Sequence, residues 1–594
     1  MDTTTILNRT NVFDYVKAEE LDYRTKKITL GENWNWNMSE HINTSFLMKH
    51  SKYSKGNNDL GNRPYKNIVR PILNVAYRNE GFDVKDIEPF VDDMDYTHLS
   101  LLVRKFHPNW ALENHMDTFI DELVESYVDY GGVLVKSVND IRPEVVPLQR
   151  LAFVDQRDIL SGAICEKHSY SVDQLLDMKG RWKADKIDEV ITLSRMAKPN
   201  STSTGEERAN SKAIEVYELH GMFPETWLDP DGNPDIYSKQ IHIITYYKSQ
   251  ETQKNVGIAL FGGKESKEVY KFLARDGIFN RALGFGGIEE LFEPQVWTNY
   301  DIIQIKEMLD VASLMILNTQ DPTFAQKNKV SDLSKGEITY STQPLTQVNI
   351  QPINMNQFVN SLVQWEQSAR TTGSASDPAL GLEPVSGTPL GTTQIVTQQG
   401  QGIHAYRQGK IATFVSEIYR DWVLKFLVDE MNKGQKYQEE LSLDELQEVA
   451  EKVINCVAND RIKQMVLSGK MVTQEEIDTF KEIKKQEFMK GGTRRFFEAM
   501  KDELKDLPVK VRINVANKQK DLNRDAGKFA EIFKAILVNP QNFIQAMQIP
   551  EVAGVFNQAL EYAGMREINF TSTPKSFAPP QGGQPVAPAL ATPA

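Results

Sequence analysis

The sequence predicts an α+β protein, and three observations support that prediction. Short strand-like runs dominate residues 133–273, whereas apolar residues recur at helical spacing in residues 116–130, 296–317 and 356–370. Polar residues separate the last two helices, and a stretch rich in Gly and Pro follows them. The order of these elements says more about function than any single motif does.

The first part of the chain is predicted to contain an arm and a mixed body. Residues 1–63 are polar, and Trp34 and Trp36 within them are expected to pack on a neighbouring subunit. Residues 64–295 are expected to form a body of short strands and helices, because both apolar periods occur there. One helix of this body is expected to end at Gly131, since Gly readily adopts the left-handed conformation of a helix terminus.

The next stretch is predicted to be two helices joined by a polar excursion. The first helix, residues 296–317, has a wide apolar stripe without Gly or Pro and would span roughly 33 Å. The excursion, residues 318–355, contains an Asp-Pro pair near its start and is too polar to form a core. The second helix occupies residues 356–372.

A loop and a long helix are predicted to follow. Residues 373–391 contain repeated Gly and Pro and cannot continue either flanking helix. Residues 392–433 resume helical spacing. Gly400, Gly402 and Gly409 predict a bend in this long helix, because Gly lowers helix stability by roughly 1 kcal/mol relative to Ala.

The C-terminal part is predicted to be helical and to end in a tail. Residues 434–570 contain a capping-box pattern at Thr473-x-x-Glu476. A basic and aromatic run is expected to form an amphipathic helix with a solvated basic face, with contact to DNA phosphates as the alternative. The run comprises Lys484, Lys485, Phe488, Lys490, Arg494, Arg495, Phe496 and Phe497. Residues 571–594 are rich in Pro and Ala and are expected to be a disordered tail.

Taken in order, these elements resemble a portal protein of a tailed bacteriophage. Gly284 to Gln295 is similar to the Gly-rich turn and Glu-Glu-Leu that open the first stem helix of portals. Ser386 to Gly391 resembles the portal channel loop, and Met116 to Val135 is similar to the element that opens the portal wing. The likeness covers roughly residues 64–540. It implies a portal-like α+β fold with an antiparallel wing, long stem helices, a small clip excursion and a helical crown.

The resemblance also implies a role for each segment. Residues 64–295 would be the wing, 296–317 and 356–372 the stem helices, 318–355 the clip, 373–391 the channel loop and 434–570 the crown. The stem turn would comprise Gly284, Gly286, Gly287, Glu289 and Glu290. The clip docking surface would comprise Gln326, Lys327, Asn328, Lys329 and Lys335. The channel loop would present Leu382, Glu383, Pro384, Val385, Ser386, Gly387, Thr388, Pro389, Leu390 and Gly391 to the DNA.

The implied function is structural. Portals of this kind form a dodecameric ring at one capsid vertex, through which DNA is packaged and later ejected. The implied partners are the terminase motor, the major capsid protein, head-to-tail adaptors and, transiently, double-stranded DNA. We expect no cofactor, no metal and no catalytic residue, and a location in the virion after assembly in the host cytoplasm.

Composition is compatible with this interpretation but does not require it. The chain has 594 residues, with 68 basic and 81 acidic side chains and a formal net charge of −13. Proteins that hold DNA firmly are usually basic, so this acidity suits a channel in which DNA slides; solubility is the equal alternative. Cys165 and Cys456 fit no ligand spacing and are expected to be buried thiols in a reducing compartment. No secretory leader is recognisable, and no stretch approaches the ~20 apolar residues of a membrane span.

No catalytic motif favours an enzyme. None of the Gly-Lys pairs is followed by the Ser or Thr of a phosphate-binding loop, and neither H-E-x-x-H nor G-x-S-x-G occurs. Asp92, Asp93, Asp95 and His98 have a spacing that suits a divalent cation, although such runs are usually solvated. A metal-dependent nucleic-acid enzyme is therefore one alternative, and an adaptor or other large virion scaffold is the other.

Overall fold

The computed structural model describes most of the first 430 residues and shorter stretches after them. The described residues are 11–53, 63–91, 106–138, 142–196, 213–248, 255–265, 268–313, 316–318, 346–348, 355–375, 402–427, 436–440, 473–489, 494–498 and 509–513, with a few isolated positions between them. All of them belong to the first of two compact units, Met1–Val515; the second unit is Ala516–Ala594.

Helices and strands alternate along the described chain. The main helices are α1 (Val12–Thr25), α2 (Met38–Lys49), α3 (Val69–Glu80), α4 (Met116–Tyr130), α5 (Val172–Asp177), α6 (Ala184–Met196), α7 (Gly287–Glu290), α8 (Phe292–Ser313), α9 (Met355–Thr372), α10 (Gly402–Ile418) and α11 (Gln474–Met489). The strands are β1 (Ile28–Gly31), β2 (Trp34–Trp36), β3 (Ile87–Val91), β4 (Gly132–Val138), β5 (Arg142–Val146), β6 (Leu151–Phe153), β7 (Ile164–Tyr170), β8 (Ile214–Pro224), β9 (Tyr237–Lys248), β10 (Asn255–Lys264), β11 (Tyr270–Ala274), β12 (Ile316–Asn318), β13 (Thr346–Val348), β14 (Lys436–Glu440), β15 (Arg494–Glu498) and β16 (Val509–Ile513).

The described sheets are antiparallel. The larger one has five strands in the order β10-β9-β8-β7-β6, and a three-stranded sheet has the order β11-β4-β5. Two-stranded pairings join β1 to β2, β12 to β13, β14 to β15, and β16 to β3. The predicted α+β class with antiparallel sheets is therefore confirmed.

The helical side of the body is organised around α4. The apolar stripe of α4, which was predicted from the sequence, is buried in a hydrophobic core. This core also contains side chains from α3 and α10. Gly131 ends α4 with φ of 78°, in the left-handed region that favours Gly. A second core joins α1, α2 and one face of the larger sheet, and a third joins α6 to that sheet.

The N-terminal segment is part of this body, so the prediction of an arm that packs on a neighbour is wrong for residues 12–49. Tyr15 and Val16 of α1 are buried in the second core, and Trp36 is only 6 % exposed within the same chain. Trp34, by contrast, is exposed. The helical stripe of α1 was overlooked because polar residues between its buried positions lower the average hydrophobicity of the segment.

The two predicted stem helices are present with shifted ends. The first begins at Phe292 instead of residue 296 and ends at Ser313, because Ile316–Asn318 form a strand that pairs with Thr346–Val348. The second, Met355–Thr372, agrees with its predicted bounds within one residue. The short strand pair places the start of the excursion beside its end.

The long helix and the C-terminal region differ more from their predictions. Gly409 lies inside a continuous helix, and the irregularity is a π-helical turn at Tyr419–Val423, where extra backbone length is accommodated. Burial of neighbours such as Ile411 outweighs the low helix propensity of Gly. Residues 392–401 lie outside the described part.

The prediction of an entirely helical crown is also wrong, because strands β14, β15 and β16 lie in residues 434–570. Helix α11 follows Thr473, whose N–H donates to Glu476 at 3.5 Å. The basic and aromatic run is divided between α11 and β15, where Arg494 and Arg495 stand opposite Glu440 and Glu439 in the strand register. The prediction of a single amphipathic helix is therefore wrong for this run, because part of it lies in a strand.

Candidate functional site: the stem and its junction with the body

Helices α8 and α9 form an antiparallel hairpin, called here the stem hairpin. The Trp297 ring near the start of α8 stacks on the Trp365 ring near the end of α9, with centroids 6.0 Å apart and an interplanar angle of 10°. At the other end, β12 and β13 pair antiparallel, with Ile316 opposite Val348. The hairpin is thus fixed at both ends.

Much of the stem hairpin is not buried by the rest of its own chain. In α8 the buried residues end at Asp301, and in α9 Ala369 alone among the described side chains is buried. Large apolar side chains are between 41 and 49 % exposed along both helices: Val296, Trp297, Tyr300, Leu309, Val311, Val359 and Val363. Exposed apolar side chains on both helices make the stem hairpin a candidate surface for contact with another protein.

The base of the hairpin is held by hydrogen bonds to the segment before α3. The Gln295 side chain accepts from the Ile68 N–H at 2.9 Å and donates to the Lys66 carbonyl at 2.7 Å. The Lys66 N–H donates to Asn299 Oδ1 at 3.1 Å. These bonds join side chains of α8 to backbone groups of residues 66–68, so they tie the base of the helix to that segment.

The predicted stem turn packs directly on the end of α4. The Gly284 N–H donates to the Gly131 carbonyl at 2.9 Å. A Cβ atom at Gly131 would lie 2.3 Å from the Gly284 oxygen, and one at Gly286 would lie 2.4 Å from the Asp129 oxygen. These glycines are required by backbone-to-backbone contact. A Cβ at Gly287 would lie 2.9 Å from the flexible side chain of Leu73, so its requirement is weaker.

A buried network of ion pairs, the junction network, surrounds Glu80 at the end of α3. Glu80 Oε1 lies 2.8 Å from Arg275 Nη2, 2.9 Å from His404 Nδ1 and 3.6 Å from Arg407 Nη1. The Glu80 side chain is fully buried and that of Arg275 is 2 % exposed. One carboxylate therefore joins α3, the end of β11 and α10.

Two further carboxylates extend the network to the stem. Arg407 Nη2 donates to Asp276 Oδ2 at 2.5 Å and to Glu290 Oε1 at 3.1 Å. Arg275 Nη1 lies 3.6 Å from Glu290 Oε2. Glu290, a predicted stem-turn residue, is thus linked through arginines to both the body and the long helix.

The surroundings of Glu80 keep it ionised. Burial by itself would raise the pKa of this carboxyl, but hydrogen bonding to His404 and the charge of Arg275 lower it below its ordinary value. Burial would lower the pKa of Arg407, but Glu290 and Glu80 raise it. For Glu290 burial prevails and raises the pKa, in spite of both arginines.

The other predicted acidic residue of the turn, Glu289, has a separate partner. It pairs with Arg281, whose guanidinium also donates to the Gly284 carbonyl at 2.9 Å and lies 4.5 Å from the centre of the Trp36 ring. His41 lies 3.8 Å from Glu289, and burial lowers the His41 pKa to about 4. The stem turn is therefore also tied to the N-terminal segment.

A second polar cluster, in the larger sheet, was not predicted. Lys136 Nζ lies 3.0 Å from Glu166 and 2.7 Å from Glu218. His168 Nε2 lies 3.0 Å from Glu218, and the two nitrogens of His220 each lie 3.0 Å from a carboxylate oxygen, of Glu218 and Glu265. The pattern Glu-x-His occurs on both β7 and β8, and this repeat of polar residues on one strand face is the signal that could have found the cluster.

This cluster has the donor set of a metal site but already contains a cation. One ligand atom each from Glu166, His168 and Glu218 lies within 4.8 Å of the others. The Lys136 ammonium bridges the two carboxylates, which stand opposite each other on β7 and β8. Like charges in that register repel unless a cation lies between them, and Lys136 supplies it.

The remaining predicted sites lie largely outside the described residues. This applies to the listed channel-loop and clip residues, to the acidic cluster around Asp92, and to Cys456. Cys165 is buried, as predicted, and burial raises the pKa of its thiol. Residues 229–235 contain a turn in which the Gly232 N–H donates to the Asp229 carbonyl at 2.9 Å.

Comparison with known proteins identifies no family. No protein-family model and no curated protein matches the chain. Among solved structures, a chain from the virion of a native gene transfer agent (GTA) particle aligns with 70 % of this chain and 84 % of its own length, at 8 % identity and a TM-score of 0.27. A likeness this weak assigns no role to any residue. Within the described part, no helix is long and apolar enough to cross a membrane.

Proposed function

We propose that this chain is the subunit of a portal ring, a structural protein that forms the DNA channel at one vertex of a phage-type capsid. DNA would enter through the ring during packaging by a terminase and leave through it at ejection. The excursion between β12 and β13 would dock the terminase and later the head-to-tail adaptors, and the capsid protein would surround the wing.

The observation that carries this proposal is the stem hairpin. Two helices extend from the body, expose apolar side chains on both members and are anchored at their base by buried charge and backbone hydrogen bonds. Copies of the same hairpin can cover this surface by packing side by side, and head-to-tail contacts of one kind form a ring when the rotation from copy to copy closes. The portal-like order of turn, helix, excursion, helix and long helix supports the same interpretation.

The size of the assembly tests the proposal. Light scattering on the full-length protein should give a mass close to a dozen copies of 67.6 kDa, and negative-stain class averages should show a ring with a central opening. Val363→Asp should break the ring into smaller species without unfolding the body, because this side chain is 46 % exposed within a single chain.

A matched control replaces an equally apolar, partly exposed residue on the wing sheet, Val256→Asp, and should leave the ring intact. A monomer at all concentrations would contradict the proposal. A monomer with metal-dependent nuclease activity would favour the enzymatic alternative, and a large assembly without an opening would favour another virion scaffold.

A further inference from the structure

One face of α9 is formed by uncharged polar side chains. All of them are exposed: Asn356, Gln357, Asn360, Gln364, Gln367, Ser368 and Thr371. At 3.6 residues per turn, five of these fall within a sector of about 80°: Asn356, Asn360, Gln364, Gln367 and Thr371. We call this face the amide stripe, and it runs for nearly the whole length of the helix.

The stripe is distinct from the other faces of α9. Trp365 and Ala369 lie on the side turned to α8 and to the body. The exposed Val359 and Val363 lie on one edge of the stripe, where helical geometry also places Glu366 and Arg370. The two charged residues have partners, since Glu366 pairs with Lys66 and Arg370 with Asp377.

This composition is unusual for a solvated helix. Surface helices normally carry Lys, Arg, Asp and Glu on roughly a quarter to a third of their positions. In α9 the charged residues number two, Glu366 and Arg370, and neither lies in the stripe. In contrast, α8 exposes Glu293, Glu307 and Asp310.

We infer that the amide stripe of α9 lines the channel and is the surface along which the backbone of double-stranded DNA moves. This inference rests on the proposed portal function and assigns the lumen to one of the two stem helices. Asn, Gln, Ser and Thr side chains hydrogen-bond phosphate oxygens and sugars without reading base sequence. They also release no condensed counterions, so they add little salt-dependent affinity.

The chemistry fits a ligand that must be touched but not held. A Lys or Arg at each position would be repeated in every copy and would bind phosphate strongly at low salt. A carboxylate would repel it. An amide can exchange one phosphate oxygen for the next, with water as an intermediate partner, at a small free-energy difference. The Val359 and Val363 edge would then meet the neighbouring copy.

The test introduces positive charge into the amide stripe. Comparison of circular with linear DNA then shows whether the stripe faces the inside of the ring. The variant Asn360→Lys with Gln364→Lys is compared with a control, Ala184→Lys with Thr192→Lys, at exposed uncharged positions of α6. Ring formation is checked first by light scattering. Binding of DNA is then measured between 50 and 200 mM salt, a range over which affinity for DNA falls strongly. The same plasmid is used in two forms, a relaxed circle and a linear molecule.

A free end is needed to enter a closed ring. The stripe variant should therefore bind linear DNA more tightly than the unmodified ring does, with a salt slope steeper by about 0.9 per phosphate neutralised, and should show no gain for circular DNA. The α6 control should show the same change in affinity for linear and for circular DNA. Equal gains for both forms in the stripe variant, or no gain for either, would overturn the inference while leaving the ring itself established.

A second measurement covers the case in which two lysines prevent assembly. Gln364→Cys, labelled with an iron chelate that generates hydroxyl radicals, should cut linear DNA and spare circular DNA. Thr192→Cys carrying the same label should not show this difference. Cleavage of both forms from position 364 would again overturn the assignment, and failure of the unmodified protein to form rings would contradict the portal function as well.

Discussion

Replacing Glu80 with Gln should destabilise the body more than any other single charge removal at the junction. Glu80 is fully buried, and its Oε1 receives Arg275, His404 and Arg407. The change removes the nearer of the two carboxylates beside Arg275, which is 2 % exposed and cannot turn to solvent, and leaves Glu290 at 3.6 Å. Removal of one partner of a buried ion pair costs about 3–5 kcal/mol.

The assay is urea unfolding of the full-length protein, followed by the fluorescence of its tryptophans. The expected loss is about 3–5 kcal/mol for the transition that unfolds the body. The control Glu293→Gln removes an exposed carboxylate of α8 and should change stability by less than about 0.5 kcal/mol. Loss of the Glu80 charge should also loosen the stem base, because Arg407 connects Glu80 to Glu290.

A double variant separates the charge effect from packing. Glu80→Met with Arg275→Met removes both charges, and buried ion pairs replaced by apolar residues often recover or exceed the original stability. The double variant should therefore be more stable than Glu80→Gln. A loss below about 1 kcal/mol for Glu80→Gln, or a double variant that is less stable than the single one, would refute the assignment of this pair as a buried charge network.

Three further predictions follow from the described geometry. Gly131→Ala should lower the free energy of unfolding by at least about 2 kcal/mol, because φ is 78° and the new Cβ would meet the Gly284 oxygen. Gly409→Ala has no atom within 4 Å of the new Cβ and should raise the free energy of unfolding by up to about 1 kcal/mol. Thermal unfolding measures both changes. Hydrogen bonds to Glu218 and Glu265 outweigh burial and raise the pKa of His220, so the stability it contributes is complete below about pH 6.5 and is lost as pH rises through the raised value. Melting curves from pH 6 to 9 should show this loss, and His220→Gln should reduce it. Deletion of residues 571–594 should leave the number of copies in the assembly, measured by light scattering, unchanged.

The sequence predicted well the helices whose apolar residues recur at regular spacing. The stripe of α4 has no interruption, and α9 is bounded by a polar segment and a Gly, so both helices were predicted nearly to the residue. The first stem helix was predicted too long at its C-terminal end. Its last apolar residues, including Ile316, fit a helical stripe, but pairing with Val348 makes them a strand.

Contacts between residues that are far apart in the sequence could not be predicted in the same way. Strand β16 pairs with β3 from the other end of the described chain, and nothing in either sequence specifies the partner. The Gly-rich stem turn and the end of a helix at Gly131 were each predicted from the sequence, but their mutual contact was not. The junction network was likewise invisible, because Glu80, Arg275 and Arg407 are separated in sequence by ordinary stretches.

If the chain is a portal subunit, as proposed, the charge distribution of the stem helices would let an acidic chain guide DNA without fixed repulsive contacts. Helix α8 contains four carboxylates, Glu293, Asp301, Glu307 and Asp310, against a single Lys306, which pairs with Asp310. The two charges of α9 both have partners. If α9 faces the lumen, as proposed, the carboxylates of α8 stand behind it. Their repulsion would then act on the phosphates over a distance that salt screens within about 8–10 Å, while the surface in contact stays neutral. Exchanging Glu307 and Asp310 for Gln and Asn should therefore increase retention of linear DNA modestly at low salt and leave it unchanged at 1 M salt. An increase that persists at high salt would mean that these residues touch DNA directly, and would move the lumen from α9 to α8.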